Sequence, residues 1–323
     1  MQQRYSTGVQ CARNWLKTAE TAIANHSDRL NAINVFPVPD GDTGTNLYAT
    51  LKVASDTAAR NSAEDWGSVL AEAANAALDD ARGNSGTLFA VFLSGFAEPL
   101  QDRGRLTAEL LSEALDRGQL RSWSALTDPV AGTMLSAMSS ASRAVRDARA
   151  ATVDESNASL ASAVAAAMSG AREAVLRSES ELGALTQARV VDAGAVGFLL
   201  LLSSLYAAIS NQPLEDASLD TLHGYRIDDP HIHVGLTGDP GVELMCSMVL
   251  TPFNAAALRA QLDELGESVI MSPVRIGDDE LHRWRIHVHV PDGDLALETI
   301  RHYGRPENLT LTDLSGEAHT LQD

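Results

Sequence analysis

The residues best suited to chemistry gather in Asn34-Val35-Phe36-Pro37-Val38-Pro39-Asp40-Gly41-Asp42-Thr43-Gly44-Thr45-Asn46. Two prolines fix φ on the approach, so the carboxylates of Asp40 and Asp42 are held rather than left to wander. Gly41 and Gly44 allow tight turning and close approach of a ligand. Carboxylates two residues apart suit a hard cation such as magnesium, which takes oxygen ligands and shares them with phosphate. Thr43 to Asn46 open a helix, whose first N–H groups can face a phosphate. The same residue types also make an ordinary surface turn, and calcium loops share the composition. Both readings stay open on this segment alone.

Three further turns have a related make-up. Asp80-Ala81-Arg82-Gly83-Asn84-Ser85-Gly86-Thr87 leads into an apolar run and suits an anion cradle at a helix start, although no P-loop lysine follows. Asp128-Pro129-Val130-Ala131-Gly132-Thr133-Met134 and Val191-Asp192-Ala193-Gly194 each precede a helix. Singly, each is a capping turn. In an antiparallel helical bundle, alternate turns lie at one end, where four such turns can converge on one ligand.

Those turns need helices to carry them. Apolar residues recur at three- and four-residue spacing up to about residue 211, giving eight helices near 4–26, 43–60, 64–81, 85–98, 107–120, 130–149, 155–178 and 195–211. The expected organisation is a helical domain over 1–212, a Pro- and Asp-containing linker over 213–230, and an α+β domain over 231–323. The last has the order β-α-β-β-α-β of a ferredoxin-like fold, with strands near 243–250, 268–275, 283–290 and 307–314, helices near 254–265 and 294–303, and an extra strand at 231–237 bearing His231 and His233. In strand 285–290, His287 and His289 share one face, opposite Ile286, Val288 and Val290. In the first strand Glu243 has the opposite parity to Leu244, Cys246, Met248 and Leu250.

The chain of 323 residues has a formal net charge of −19, a field that repels nucleic acid and anionic lipid. Two cysteines, Cys11 and Cys246, provide no disulfide framework. The start MQQRYSTGVQ lacks the apolar core of a signal peptide. The apolar run from Ala195 to Ile209 falls short of the ~20 residues of a membrane span. A cytoplasmic protein without stable membrane insertion is expected.

Taken together, the four turns resemble the ATP-binding subunit of bacterial dihydroxyacetone kinase and, more closely, the kinase domain of fatty acid kinase. NAINVFPVPDGDTGTN carries the likeness, and ARGNSG, DPVAGTML and VVDAG follow in the family's order. The resemblance implies an eight-helix antiparallel barrel that holds ATP through two Mg2+ ions, bound by Asp40 and Asp42 with Asn34 as a weaker candidate. It implies that Thr43, Gly44, Thr45, Asn46, Asn84, Ser85 and Gly86 approach the phosphates, with Arg82 steadying the group in transfer. Gly132, Thr133 and Met134 would border adenine and ribose, and Asp192, Ala193 and Gly194 would close the nucleotide side.

By the same resemblance the acceptor is a fatty acid carboxylate on a separate fatty-acid-binding protein, and the product is an acyl phosphate. The second domain is similar to that kinase's middle domain, which binds zinc through two histidines and a cysteine. Here His287, His289 and Glu243 would be the Zn2+ ligands, with Cys246 as the alternative to Glu243; a metal-free polar face is the other reading. A homodimer through the open sheet face is also implied. The sequence departs from the family at Ala131, Ala195 and Val196 and ends without the third domain of full-length kinases. Those departures motivate one alternative, a non-catalytic nucleotide-binding paralogue; another, a dihydroxyacetone kinase-type phosphotransferase, is disfavoured because those subunits lack the appended β-α-β-β-α-β domain.

Overall fold

The computed structural model describes residues 5–150, 154–214, 219–225, 241–276 and 281–313. The expected strand at 231–237, with His231 and His233, lies outside them. The chain forms two compact units: residues 1–36, 41–123 and 130–233 make one, and 37–40, 124–129 and 234–323 make the other.

The first unit is helical among its described residues. Its long helices are α1 (Val9–Ala32), α2 (Thr43–Arg60), α3 (Trp66–Asp79), α4 (Gly83–Ala97), α5 (Ala108–Ala125), α6 (Met134–Ala150), α7 (Asn157–Glu181) and α9 (Ala193–Ser210), with a short α8 (Gly183–Ala188) before the last. The helix expected at 4–26 runs instead from Val9 to Ala32, because no breaker interrupts Asn25 to Asn31. The helix expected from 130 begins at Met134, after Gly132 turns with φ +85°.

Small side chains let these helices approach closely. A β-carbon on Gly95 would lie 2.7 Å from Arg117 O, and one on Gly118 would lie 2.7 Å from the Phe92 ring. Volume for the core comes from a few aromatic residues: Phe92 meets Phe198 edge-on at 5.0 Å, and Trp15 meets Phe96 at 5.2 Å. The Trp15 indole N–H donates to Leu201 O at 2.9 Å, tying α1 to α9. Helix α9 is apolar and long enough to cross a membrane by length and composition, yet 78% of it is buried inside the protein. It packs against α1, α6 and α7.

The second unit contains a four-stranded antiparallel sheet with the strand order β2-β3-β1-β4, from β1 (Val242–Leu250), β2 (Glu267–Ile276), β3 (His282–Val290) and β4 (Glu307–Asp313). Helices α10 (Pro252–Leu265) and α11 (Gly293–Tyr303) connect β1 to β2 and β3 to β4. Period-two alternation sends Leu244, Cys246, Met248, Leu250, Ile286, Val288 and Val290 to the helix-covered core. The opposite face, expected to be open, is not: Glu243, Met245, Ser247, Ile270, Ser272, Arg285, His287 and His289 are all buried. Segment 124–129 belongs to this unit, and Leu126 pairs with Ile270 on that face.

Candidate functional site

Asp42 is the N-cap residue of α2, but its carboxylate does not cap the helix. That task falls to Asn31, in the last turn of α1. Its Oδ1 accepts from the N–H groups of Gly44 at 2.7 Å and Thr45 at 3.2 Å, while its Nδ2 donates to Thr45 Oγ1. Asn46 N–H donates to Asp42 O. Of the N–H groups of Thr43 to Asn46, expected to face a phosphate, those of Gly44, Thr45 and Asn46 have partners inside the protein. Asp40 and Asp42 are half-buried, and two residues of chain keep their Cα atoms within about 7 Å. Asn34 is buried beside the end of α1, its N–H bonded to Asn31 O.

The start of α4 is different. Arg82 is its N-cap and provides no side-chain cap. Gly83, Asn84 and Ser85 have no N–H partner among the described residues, whereas Gly86 N–H already bonds Arg82 O. A helix start with uncapped donors is the natural place for an anion. Gly83 is required twice over: its φ is +58°, and a β-carbon there would sit 2.2 Å from Asn46 Nδ2. That close approach sets the α4 start directly against α2. Ser85 Oγ donates to Thr43 O at 3.4 Å, and Arg82 N–H donates to buried Thr50 Oγ1 at 3.3 Å. The Asn84 side-chain oxygen is buried without a hydrogen-bond partner, an acceptor that fits a cation or its bound water.

The other two turns join the same end of the helical unit. A β-carbon on Gly197 would lie 2.4 Å from Leu47 Cδ1, so the first turns of α9 and α2 touch. Gly194 lies against Met134 in the same way, at 3.2 Å. Asp192 is the buried N-cap of α9 and accepts from Ala195 N–H at 2.7 Å, with the Met134 backbone close enough to favour its charged form. The Gly132–Met134 and Asp192–Gly194 turns thus meet at the α9 cap, where Gly194 lies against Met134. Ala195 and Val196 are buried in the first turn of α9, whereas Ala131 is exposed.

Burial raises the Asp192 pKa from 3.8 to about 7, against the lowering effect of the Ala195 N–H donor and the nearby Met134 backbone. The stabilisation that comes with a raised folded-state pKa is complete below pH ~4 and is lost as pH rises through ~7, up to about 4 kcal/mol across the window. Asp192→Asn removes that titration. Urea unfolding of both proteins at several pH values should show the wild type losing stability relative to the variant as pH rises, and parallel curves would contradict the assignment.

Besides Asn31, two residues of this end escape sequence reasoning. Thr50 is wholly buried and also fills the space beside Gly86. Arg189 is exposed and held in the left-handed region at φ 58°, three residues before Asp192. A strained non-glycine backbone of this kind has no sequence signature.

In the second unit, one ligand atom each from Glu243, His287 and His289 lies within 4.8 Å of the other two. Strand pairing accounts for this, with Glu243 opposite His289 and Met245 opposite His287. Glu243 Oε1 is 3.5 Å from His287 Nδ1 and 3.8 Å from His289 Nε2, near the ~3.3 Å edge of a tetrahedral zinc site. Burial lowers the His287 pKa to about 3, with Glu243 acting in the other direction. The ring is neutral, the form that binds metals, so its approach to Glu243 is not an ion pair. Burial raises the Glu243 pKa, but the approach of His289 and the nearby Arg285 charge bring it below its ordinary value. Both His287 ring nitrogens and His289 Nδ1 are buried without hydrogen-bond partners. Cys246, the alternative ligand, points to the other face; its thiol is pushed up to about 12 by burial in the core.

Residues 37–207 match the family described as the DAK2 domain, and residues 242–321 match the FakA-like middle domain of fatty acid kinase. A Staphylococcus epidermidis protein is 26% identical over 282 residues, covering 84% of this chain and 49% of that protein. Protein YloV of Bacillus subtilis is 24% identical over 308 residues, covering 92% of this chain and 54% of its own length. The chain spans about half the length of these curated relatives. Among solved structures, the C. freundii dihydroxyacetone kinase in complex with AMP-PNP and Mg2+ is similar with a TM-score of 0.46 and 18% identity, over 64% of this chain and 35% of that one.

Proposed function

The chain belongs to the DAK2 domain family, and on that premise we propose that it transfers the γ-phosphate of ATP to a fatty acid carboxylate held by a lipid-binding partner protein. The observation that carries the reading is the contact of the acidic loop's helix with the uncapped start of α4, through Gly83 on Asn46 and Ser85 on Thr43. Within the same reading the helices close into a barrel and the second unit is ferredoxin-like, which the β2-β3-β1-β4 order supports. A cytoplasmic location and a homodimer belong to it as well.

Asp40 and Asp42 would hold two magnesium ions, with Asn84 Oδ1 as a further oxygen and Asn34 behind them. Magnesium, when bound, offsets the charge that develops on the phosphates during transfer. The N–H groups of Gly83, Asn84 and Ser85 would donate to phosphate oxygens, with Gly86 giving the backbone room. Arg82 would steady the transferring group. The turns at Gly132–Met134 and Asp192–Gly194, fixed by the Asp192 cap, would border the nucleoside. A carboxylate oxygen of the acceptor forms a bond to the γ-phosphorus as the bond to the β,γ-bridging oxygen breaks, and ADP leaves. The protein contributes alignment and charge compensation.

The direct test supplies Mg-ATP and a fatty-acid-loaded binding protein and traps acyl phosphate with hydroxylamine. Hydroxamate should form and should vanish when EDTA removes magnesium. ATP binding with no hydroxamate would favour the non-catalytic paralogue, and phosphorylation of dihydroxyacetone would favour the glycerone kinase alternative.

Zinc on Glu243, His287 and His289 completes the reading, supported by the unpartnered ring nitrogens. Zinc at a hundredfold excess over Kd should stabilise the protein by about 2.7 kcal/mol. Thermal unfolding should show that gain in the wild type and lose it in His287→Ala; an equal gain in both would rule the cluster out.

A further inference from the structure

Residues 219–225, expected to be linker, form a strap that is pinned at both ends and lies outside both matched family regions. Leu219, Leu222 and Tyr225 are buried. The Tyr225 hydroxyl is 2.9 Å from His26 Nδ1, and the two rings stack at 6.0 Å, inclined by 8°. Arg29 lies over the Tyr225 ring at 4.2 Å, donates through Nε to Tyr225 O at 2.8 Å, and pairs with Asp220 at 2.8 Å. His26 and Arg29 sit on the last turns of α1, which also carry Ser27 and Asn31. Ser27 O is the atom that a β-carbon on Gly44 would strike, and Asn31 caps α2 behind the acidic loop.

The strap's other grip is on α7. Thr221 Oγ1 accepts from Arg172 at 2.8 Å, and His223 Nδ1 is 3.0 Å from Glu179, both partners on α7. Gly224, at φ +74°, sits where a β-carbon would be 2.5 Å from Val190 Cγ1 and 3.1 Å from Arg189 O. Val190 is two residues before Asp192, the cap of α9.

We infer that Tyr225 and Arg29 are positioning residues, and that this strap sets the spacing between the acidic loop and the Asp192 turn on which Mg-nucleotide binding depends. The inference rests on the proposed nucleotide site for its functional consequence, but its structural core does not. Neither residue lies on the four turns that would hold the nucleotide. Tyr225 acts through α1 and Asn31, and Gly224 acts through the turn at 189–192.

The test uses the full chain and two mild variants, Tyr225→Phe and Arg29→Lys. Hydrogen–deuterium exchange without nucleotide should show peptides spanning Gly44–Asn46 and Ala193–Val196 exchanging about fivefold faster. Peptides of α3 and α5 should not change. Titration with AMP-PNP should show both variants needing several-fold more magnesium for half-saturation. Unchanged exchange at both segments would overturn the inference, and so would equal acceleration throughout the chain, which marks general loss of stability. If the wild type binds no nucleotide, the proposed function fails while the exchange measurement still decides the strap.

Discussion

With Asp40 and Asp42 both replaced by alanine, magnesium-dependent nucleotide affinity is expected to fall by about 100-fold or more, since even residues that merely orient metal ligands are worth 10–100-fold. A formal net charge of −19 makes the effect larger, because a triphosphate meets an unfavourable field unless cations are held at the site. Fold and stability should change little. Asp42 does not cap α2 with its side chain, the cap comes from Asn31, and both aspartates are only half-buried. Calorimetric titration with AMP-PNP, with and without magnesium, separates the outcomes. Affinity equal to wild type would place the metal elsewhere, and weak magnesium-independent binding that survives the substitutions would report the α4 donors acting alone.

The four turns are visible in the sequence because glycine, proline and aspartate carry strong local preferences, and each turn does precede a helix. Period-two alternation likewise separates Glu243, His287 and His289 from the core face that holds Cys246. The division of labour among the turns is not legible. Which helix start keeps its donors free depends on Asn31 reaching across from α1, a contact over 13 positions that no local pattern announces. A first helix ending at residue 26 also leaves Asn31 outside any element. Asp192 shows the same blind spot, since an N-cap is predictable but the meeting of the α6 and α9 starts beside it is a tertiary fact. Burial of the histidine face is hidden because alternation reports which residues share a side, not what covers it. The segment 219–225 reads as linker from its proline and aspartate neighbours, although Leu219, Leu222 and Tyr225 are buried.

Gly44→Ala is expected to damage both stability and nucleotide binding, although it adds a single methyl group. An added β-carbon would lie 2.2 Å from Ser27 O, 2.7 Å from its Cα and 2.8 Å from its carbonyl carbon. All three are backbone atoms inside α1, so no rotamer change can relieve the clash and the two helices must separate. Overpacking of this kind costs about 1–3 kcal/mol, and separation also stretches the bonds from Gly44 and Thr45 to Asn31. Asn31→Ala provides the comparison, because it deletes the cap without the clash and should cost about 1 kcal/mol. The two variants should differ in binding as well. Losing Asn31 frees two N–H donors at α2 and leaves the acidic loop near its place, so magnesium-nucleotide affinity should fall only modestly. Displacing α2 moves Asn46 away from Gly83 and opens the gap between the loop and the α4 donors. Denaturant unfolding and AMP-PNP titration of the pair therefore test whether close helix approach, rather than the cap, sets the site. A Gly44→Ala protein with wild-type affinity would show that the loop and the α4 start need not touch to bind nucleotide.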